Sequence, residues 1–140
     1  MAITPDGAFA YVTVASQNIV AVISTATNAV VKTIDVGPCC PIGVAITPNG
    51  AFAYVTGSLH NTVAVISTAT NEVVNTIESP ELASGPWGLA ITPDGALVYV
   101  ALNDAPGGVA VIATATNSVV ATVDLGPAAP VAITPDGADA

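Results

Sequence analysis

The chain is 140 residues long, 52% hydrophobic, and carries ten acidic residues against a single Lys, for a formal charge of -9. With Lys32 and His60 as the only candidate cations there is no basic stripe to neutralise phosphates, so neither nucleic acid nor an anionic lipid surface is expected as a partner. No apolar run approaches the roughly 20 residues of a membrane span, so no membrane insertion is expected, and no basic or hydrophobic leader of a signal peptide is found at Met1.

Along the chain, Ile3-Thr-Pro-Asp-Gly7 returns as Ile46-Thr-Pro-Asn-Gly50, Ile91-Thr-Pro-Asp-Gly95 and Ile133-Thr-Pro-Asp-Gly137, at spacings of 43, 45 and 42 residues. A period in this range means stacked supersecondary units. The first unit covers residues 2–36, the second 43–78 and the third 88–125. An orphan inner strand over 131–135 follows.

The second unit shows the pattern. Val44–Thr47 reads as a strand closed by Pro48-Asn49-Gly50, and Ala51–Thr56 follows. Asn-Gly or Asp-Gly between apolar alternations is a strong hairpin signal. After residues 57–61, Thr62–Ser67 is a third strand. Thr68-Ala-Thr-Asn71 then turns into a fourth at Glu72–Ile77. Val, Ile, Thr and Tyr dominate these segments, as strands prefer. Three of them are continuously apolar: Ile19–Ile23, Val63–Ile66 and Val109–Ile112. A sheet with one wet face alternates, so continuous runs imply sheets covered on both faces. Small four-stranded antiparallel meanders covered by copies of themselves are propeller blades. The sequence therefore predicts an all-β chain of three four-stranded antiparallel meanders.

Tyr11-Val-Thr13, Tyr54-Val-Thr56 and Tyr99-Val-Ala101 resemble the Tyr-Val-Thr-Asn motif of the YVTN β-propeller repeats. Ser24-Thr-Ala-Thr-Asn28, Ser67-Thr-Ala-Thr-Asn71 and Ala113-Thr-Ala-Thr-Asn117 match further landmarks, as do Pro41-Ile-Gly43 and Pro86-Trp-Gly88. The motif's Asn is replaced by Val14, Gly57 and Leu102, and the last lead-in, Ala128-Ala-Pro130, lacks its Gly. The resemblance implies a recognition or scaffold role of the kind found in surface-layer and cell-envelope propellers, and an extracellular or cell-surface location. Related propellers also host lactonases, lyases and quinoprotein dehydrogenases, so an enzyme fragment of a larger propeller is an alternative.

In a meander, alternate connections emerge on opposite edges. One rim, of Pro-Asp-Gly and Thr-Ala-Thr-Asn turns, is nearly the same in every unit. The other varies, and binding residues tend to ride on variable loops over a rigid scaffold. Its candidates for a ligand or partner surface are Gln17, Asn18, Cys39, Cys40, His60, Asn61, Trp87, Asn103 and Asp104. No catalytic cluster is expected: a base needs a nucleophile and an orienting group beside it, and His60 is the single His. No metal site or cofactor is expected either, since a closed zinc site takes four ligands. Cys39 and Cys40 are adjacent, with Cα atoms about 3.8 Å apart, too close for an unstrained disulfide, so free thiols or an intermolecular bridge are expected. Trp87 is expected to pack between blades, as large aromatics are usually well buried; the alternative places it at the channel mouth.

Propellers typically have four to eight blades, and three blades leave two apolar faces open. The expected partner is the chain itself, as a homodimer closing a six-bladed ring, with a head-to-tail filament second. A surface protein or glycan is the expected external partner.

Overall fold

Three pairs of recurring turns divide the chain into three antiparallel sheets. The computed structural model describes residues 1–138. The first sheet is β1 (Ala2–Ile3), β2 (Phe9–Val14), β3 (Ile19–Ser24) and β4 (Ala29–Asp35). The second is β5 (Pro41–Ile46), β6 (Phe52–Gly57), β7 (Thr62–Ser67) and β8 (Glu72–Glu78). The third is β9 (Pro86–Ile91), β10 (Leu97–Leu102), β11 (Gly108–Ala113) and β12 (Ser118–Val123). Each sheet is a simple meander in sequence order. Strands β5 and β9 begin earlier than predicted because Pro41 and Pro86 already pair with Gly57 and Leu102 across a bulge.

The turns are built from their own side chains. In the first hairpin the Thr4 hydroxyl donates to Asp6 Oδ1 at 2.6 Å, and the Ala8 amide donates to the same oxygen at 3.0 Å. Gly7, at φ +73°, supplies the left-handed residue that closes the turn. Asn49 does the same work in the second unit, at 2.7 and 3.0 Å. The second type of turn is clipped onto the first: Thr25 Oγ1 donates to the Gly7 and Ala8 carbonyls, and Thr114 Oγ1 to those of Gly95 and Ala96.

The paired valines have distinct roles. The register between third and fourth strands slips at the same point in each sheet. The slip leaves Val31, Val74 and Val120 as bulge residues, all more than half exposed. Bulges add local twist, and these sit where each outer strand turns away from the core.

Burial falls between sheets. One cluster joins Tyr11, Val20, Val22 and Ile34 of the first to Val44, Val55 and Ile66 of the second. Another joins Tyr54, Val63, Val65 and Ile77 of the second to Val98, Val100 and Ile112 of the third. The third strand of the middle sheet, β7, is buried from Thr62 to Ile66, as its unbroken apolar run requires. Fully burying each such Val or Ile contributes roughly 1.5–3 kcal/mol.

The segment 131–135 corrects one expectation, for it carries no strand. It still occupies an inner-strand seat. A Cβ on Gly88 would come within 2.7 Å of Pro130 Cα, and one on Gly137 within 3.2 Å of Pro93 Cδ, as one on Gly95 would meet Pro48. The Gly137 amide closes its turn on the Thr134 carbonyl at 2.8 Å. A strand needs a ladder partner, and the second strand of a fourth blade is absent among the described residues.

Candidate functional site

The two rims spend their polar side chains differently. On the constant rim they close turns or bridge blades. Tyr11 donates its hydroxyl to Asn71 Oδ1 of the next blade at 2.5 Å, and Tyr54 donates to Asn117 Oδ1 at 2.6 Å. Burial pushes both phenols above their ordinary pKa, which keeps each hydroxyl protonated as the donor. Asn71 and Asn117 sit at φ 55° and 51°, a left-handed conformation that Asn tolerates. Sequence reasoning took the recurring Tyr as packing and the Asn as a turn residue. Their joint occurrence once per unit was the available sign that they pair across units.

The varied rim is partly structural as well. Asn18 Oδ1 accepts from the Cys40 amide at 3.1 Å, and Asn61 Oδ1 accepts from the Gly85 amide at 3.3 Å. Both brace the loop leading into the next blade. Cys39 is 4% exposed and its thiol is pushed up mainly by that burial, whereas Cys40 is half-buried; both are free. Gly57 stands where the repeat motif has Asn because a Cβ there would come within 2.5 Å of Cys39 Cβ. The loop over 79–87 holds a short 3-10 turn at Pro80–Leu82 that drops Leu82, fully buried, into the core.

The remaining candidates project outward. Gln17, His60, Asn103 and Asp104 are exposed. Trp87 is 38% exposed, so the expectation that it would be well buried is not met. Its carbonyl, not its indole, makes the inter-blade contact, accepting from Thr56 Oγ1. The Asn103 and Asp104 amides bond to the Gly85 and Ser84 carbonyls, which holds those two side chains beside the loop that carries Trp87. His60 and Asn61 line a shallow hollow with Glu78, Ser79 and Pro80. Among the described residues, no three His, Cys, Asp or Glu side chains converge as a metal would require.

The largest cleft, about 510 Å³, lies on the constant rim between the second and third blades, bordered by Phe52, Tyr54, Asp94 and Asn117. A counterpart of about 320 Å³ lies between the first and second, bordered by Asp6, Phe9, Tyr11 and Asn49. Both are junctions that the Tyr–Asn bonds close.

No protein-family model matches the chain, and no curated protein matches it. Solved structures do. Hydrazine synthase of Kuenenia stuttgartiensis superposes with a TM-score of 0.86 at 33% identity over 97% of this chain. A Bacteroides uniformis protein provisionally assigned as a 6-phosphogluconolactonase superposes at 0.76 with 23% identity over 96%. The chain spans 40% and 43% of the lengths of those two chains. The three meanders, their face-to-face burial and these propeller neighbours agree: the chain is three successive blades of a β-propeller.

Proposed function

We propose that the chain is a non-catalytic propeller scaffold of the YVTN type, which assembles with itself and recognises a protein or surface polymer through its varied rim, at the cell surface or outside the cell. One observation carries the reading. The recurring side chains of the constant rim are engaged within and between blades, while Gln17, His60, Trp87 and Asp104 project from the varied rim with no hydrogen bond from their side chains. An exposed indole with flanking amide, imidazole and carboxylate groups suits a neutral polymer such as a glycan, which offers hydroxyls and an apolar sugar face.

A second reading, that these blades are a section of a larger enzyme, is favoured by the likeness to hydrazine synthase. The lactonase comparison favours it less. A phosphorylated substrate calls for charged donors, and Lys32, the sole Lys or Arg, sits on the outer strand β4, far from the loop rim's inner end.

The experiment is binding of the purified chain to isolated envelope polysaccharide, measured by calorimetry. Changing His60, Trp87 and Asp104 together to Ala removes binding on this reading, and Asp94→Asn with Phe52→Ala on the other rim leaves it intact. Equal losses from both rims, or turnover of 6-phosphogluconolactone by the chain alone, would overturn it.

A further inference from the structure

The same junction is made twice within the chain, and both of its halves are left over at the ends. Its tail half is a buried Tyr and a buried outer-strand Ile: Tyr11 and Ile34 are 1% and 4% exposed, Tyr54 and Ile77 1% and 5%. In the third blade the equivalents are Tyr99, which is only half-buried, and Val123, which is 45% exposed. Leu125 beside them is 69% exposed. These residues border an apolar groove of about 290 Å³ with Val109 and Val131.

The head half is left over at the other end. Ile46 and Val73 of the second blade pack against the first junction's core. Their first-blade equivalents, Ile3 and Val30, are 55% and 58% exposed. Asn28, equivalent to Asn71 and Asn117, holds the same left-handed turn at φ 53°. Its side chain accepts no hydrogen bond, and the Tyr99 hydroxyl donates none.

We propose that a second copy of this chain covers the open third blade with its first blade, and that Tyr99 of one copy donates to Asn28 Oδ1 of the other. The proposal rests on the scaffold reading only for its self-assembling part. The occupant is named by the chain itself, because this sequence seats the same head face on the same tail face at both internal junctions. Two junctions close a ring of six blades, the one multiple of three within the usual four to eight.

One seat in that ring is claimed twice. Residues 131–133 of one copy lie where Ala2–Ile3 of the next would lie, since Val131-Ala-Ile133 repeats Val44-Ala-Ile46. Ala2–Ile3 is the weaker claimant. It has two ladder positions, Ala2 with Tyr11 and Ile3 with Ala10, whereas 131–133 brings three. Pairing starts at Val131 because Pro130 has no N–H to donate.

Light scattering and sedimentation equilibrium of the 140-residue chain at about 10 μM test the proposal. A mass near twice 13.7 kDa is expected, and removal of residues 1–4 leaves it unchanged. Tyr99→Phe and Asn28→Gly each weaken association roughly fivefold per junction, on the order of 25-fold for a two-junction ring. The double variant is no weaker than either single one. Both positions lie on open surface, so far-UV circular dichroism should show unchanged folding. A monomer, additive losses, or a dissociation constant unmoved by either change overturns the proposal, and a mass that climbs with concentration overturns ring closure. A dimer that ignores envelope polysaccharide would sink the recognition reading and leave the junction standing.

Discussion

The Tyr54–Asn117 bond can be measured against the interface it spans. Tyr54 is 1% exposed and donates to Asn117 Oδ1 at 2.6 Å, from the middle blade to the third. Tyr54→Phe keeps the ring and deletes the donor. Asn117→Gly deletes the acceptor and keeps the φ of 51° available. A net hydrogen bond of this kind is worth about 1 kcal/mol, so each change should cost at least that. The coupling in a double-mutant cycle should be about 1 kcal/mol, because the backbone cost of the new Gly cancels in the cycle. Asn117→Ala should cost about 1–2 kcal/mol more than Asn117→Gly, since Ala meets the left-handed penalty that Gly escapes. Urea unfolding followed by Tyr fluorescence gives the midpoints; at slopes of about 1–3 kcal/mol/M each single change moves the midpoint by roughly 0.3–1 M. A double variant whose loss equals the sum of the two single losses would show that the hydroxyl and the amide do not bond across the blades, and the junction argument would fall with it.

Three further outcomes follow from the same geometry. Leu82→Ala, at a fully buried side chain inserted from a loop, should lower unfolding stability by about 2–5 kcal/mol, measured by the same urea titration. Asp6, Asp94 and Asp136 are held below the ordinary carboxylate pKa by a Thr hydroxyl first and a backbone amide second. Their stabilisation is therefore present above the unfolded-state value near 3.8 and is lost as pH falls through the lower folded-state values. Asn49 makes the same two bonds without titrating, so replacing the three Asp by Asn should flatten the stability profile below about pH 4, followed by circular dichroism. Cys40 should react with a thiol reagent well before Cys39, which is 4% exposed and whose thiol burial pushes up; equal rates under native conditions would contradict the placement of Cys39.

The fold was legible because its signals are local and repeated. The Thr-Pro-Asp-Gly turns, the unbroken apolar third strands and the spacing each follow from short-range chemistry that a sequence displays directly. What the sequence concealed lies between blades. Nothing local says that Tyr54 reaches Asn117, 63 positions on, or that Gly57 is small because Cys39 lies against it. Leu82 was hidden for a similar reason: one apolar residue in a loop of Pro, Glu and Ser reads as loop until a hollow beneath it is known. The strand expected at 131–135 fails for a non-local reason too. Its sequence is that of an inner strand, but strand geometry is completed by a neighbour.

Cavity size alone would place the functional site on the constant rim, where the two largest clefts lie. A largest pocket is a reasonable default site where convergent polar groups aim into it. Here the polar groups bordering it are already committed: Asp94 to Thr92 and the Ala96 amide, Asn117 to Tyr54, Thr114 to the Gly95 carbonyl. A ligand entering would have to break bonds that hold the hairpins and the junction, so its binding would compete with folding. The varied rim has no such conflict. Its loops are anchored from below by Leu82, Asn18 and Asn61, which leaves His60, Trp87 and Asp104 fixed in place but chemically unspent, and groups in that state can bind a partner without loosening the blades that carry them.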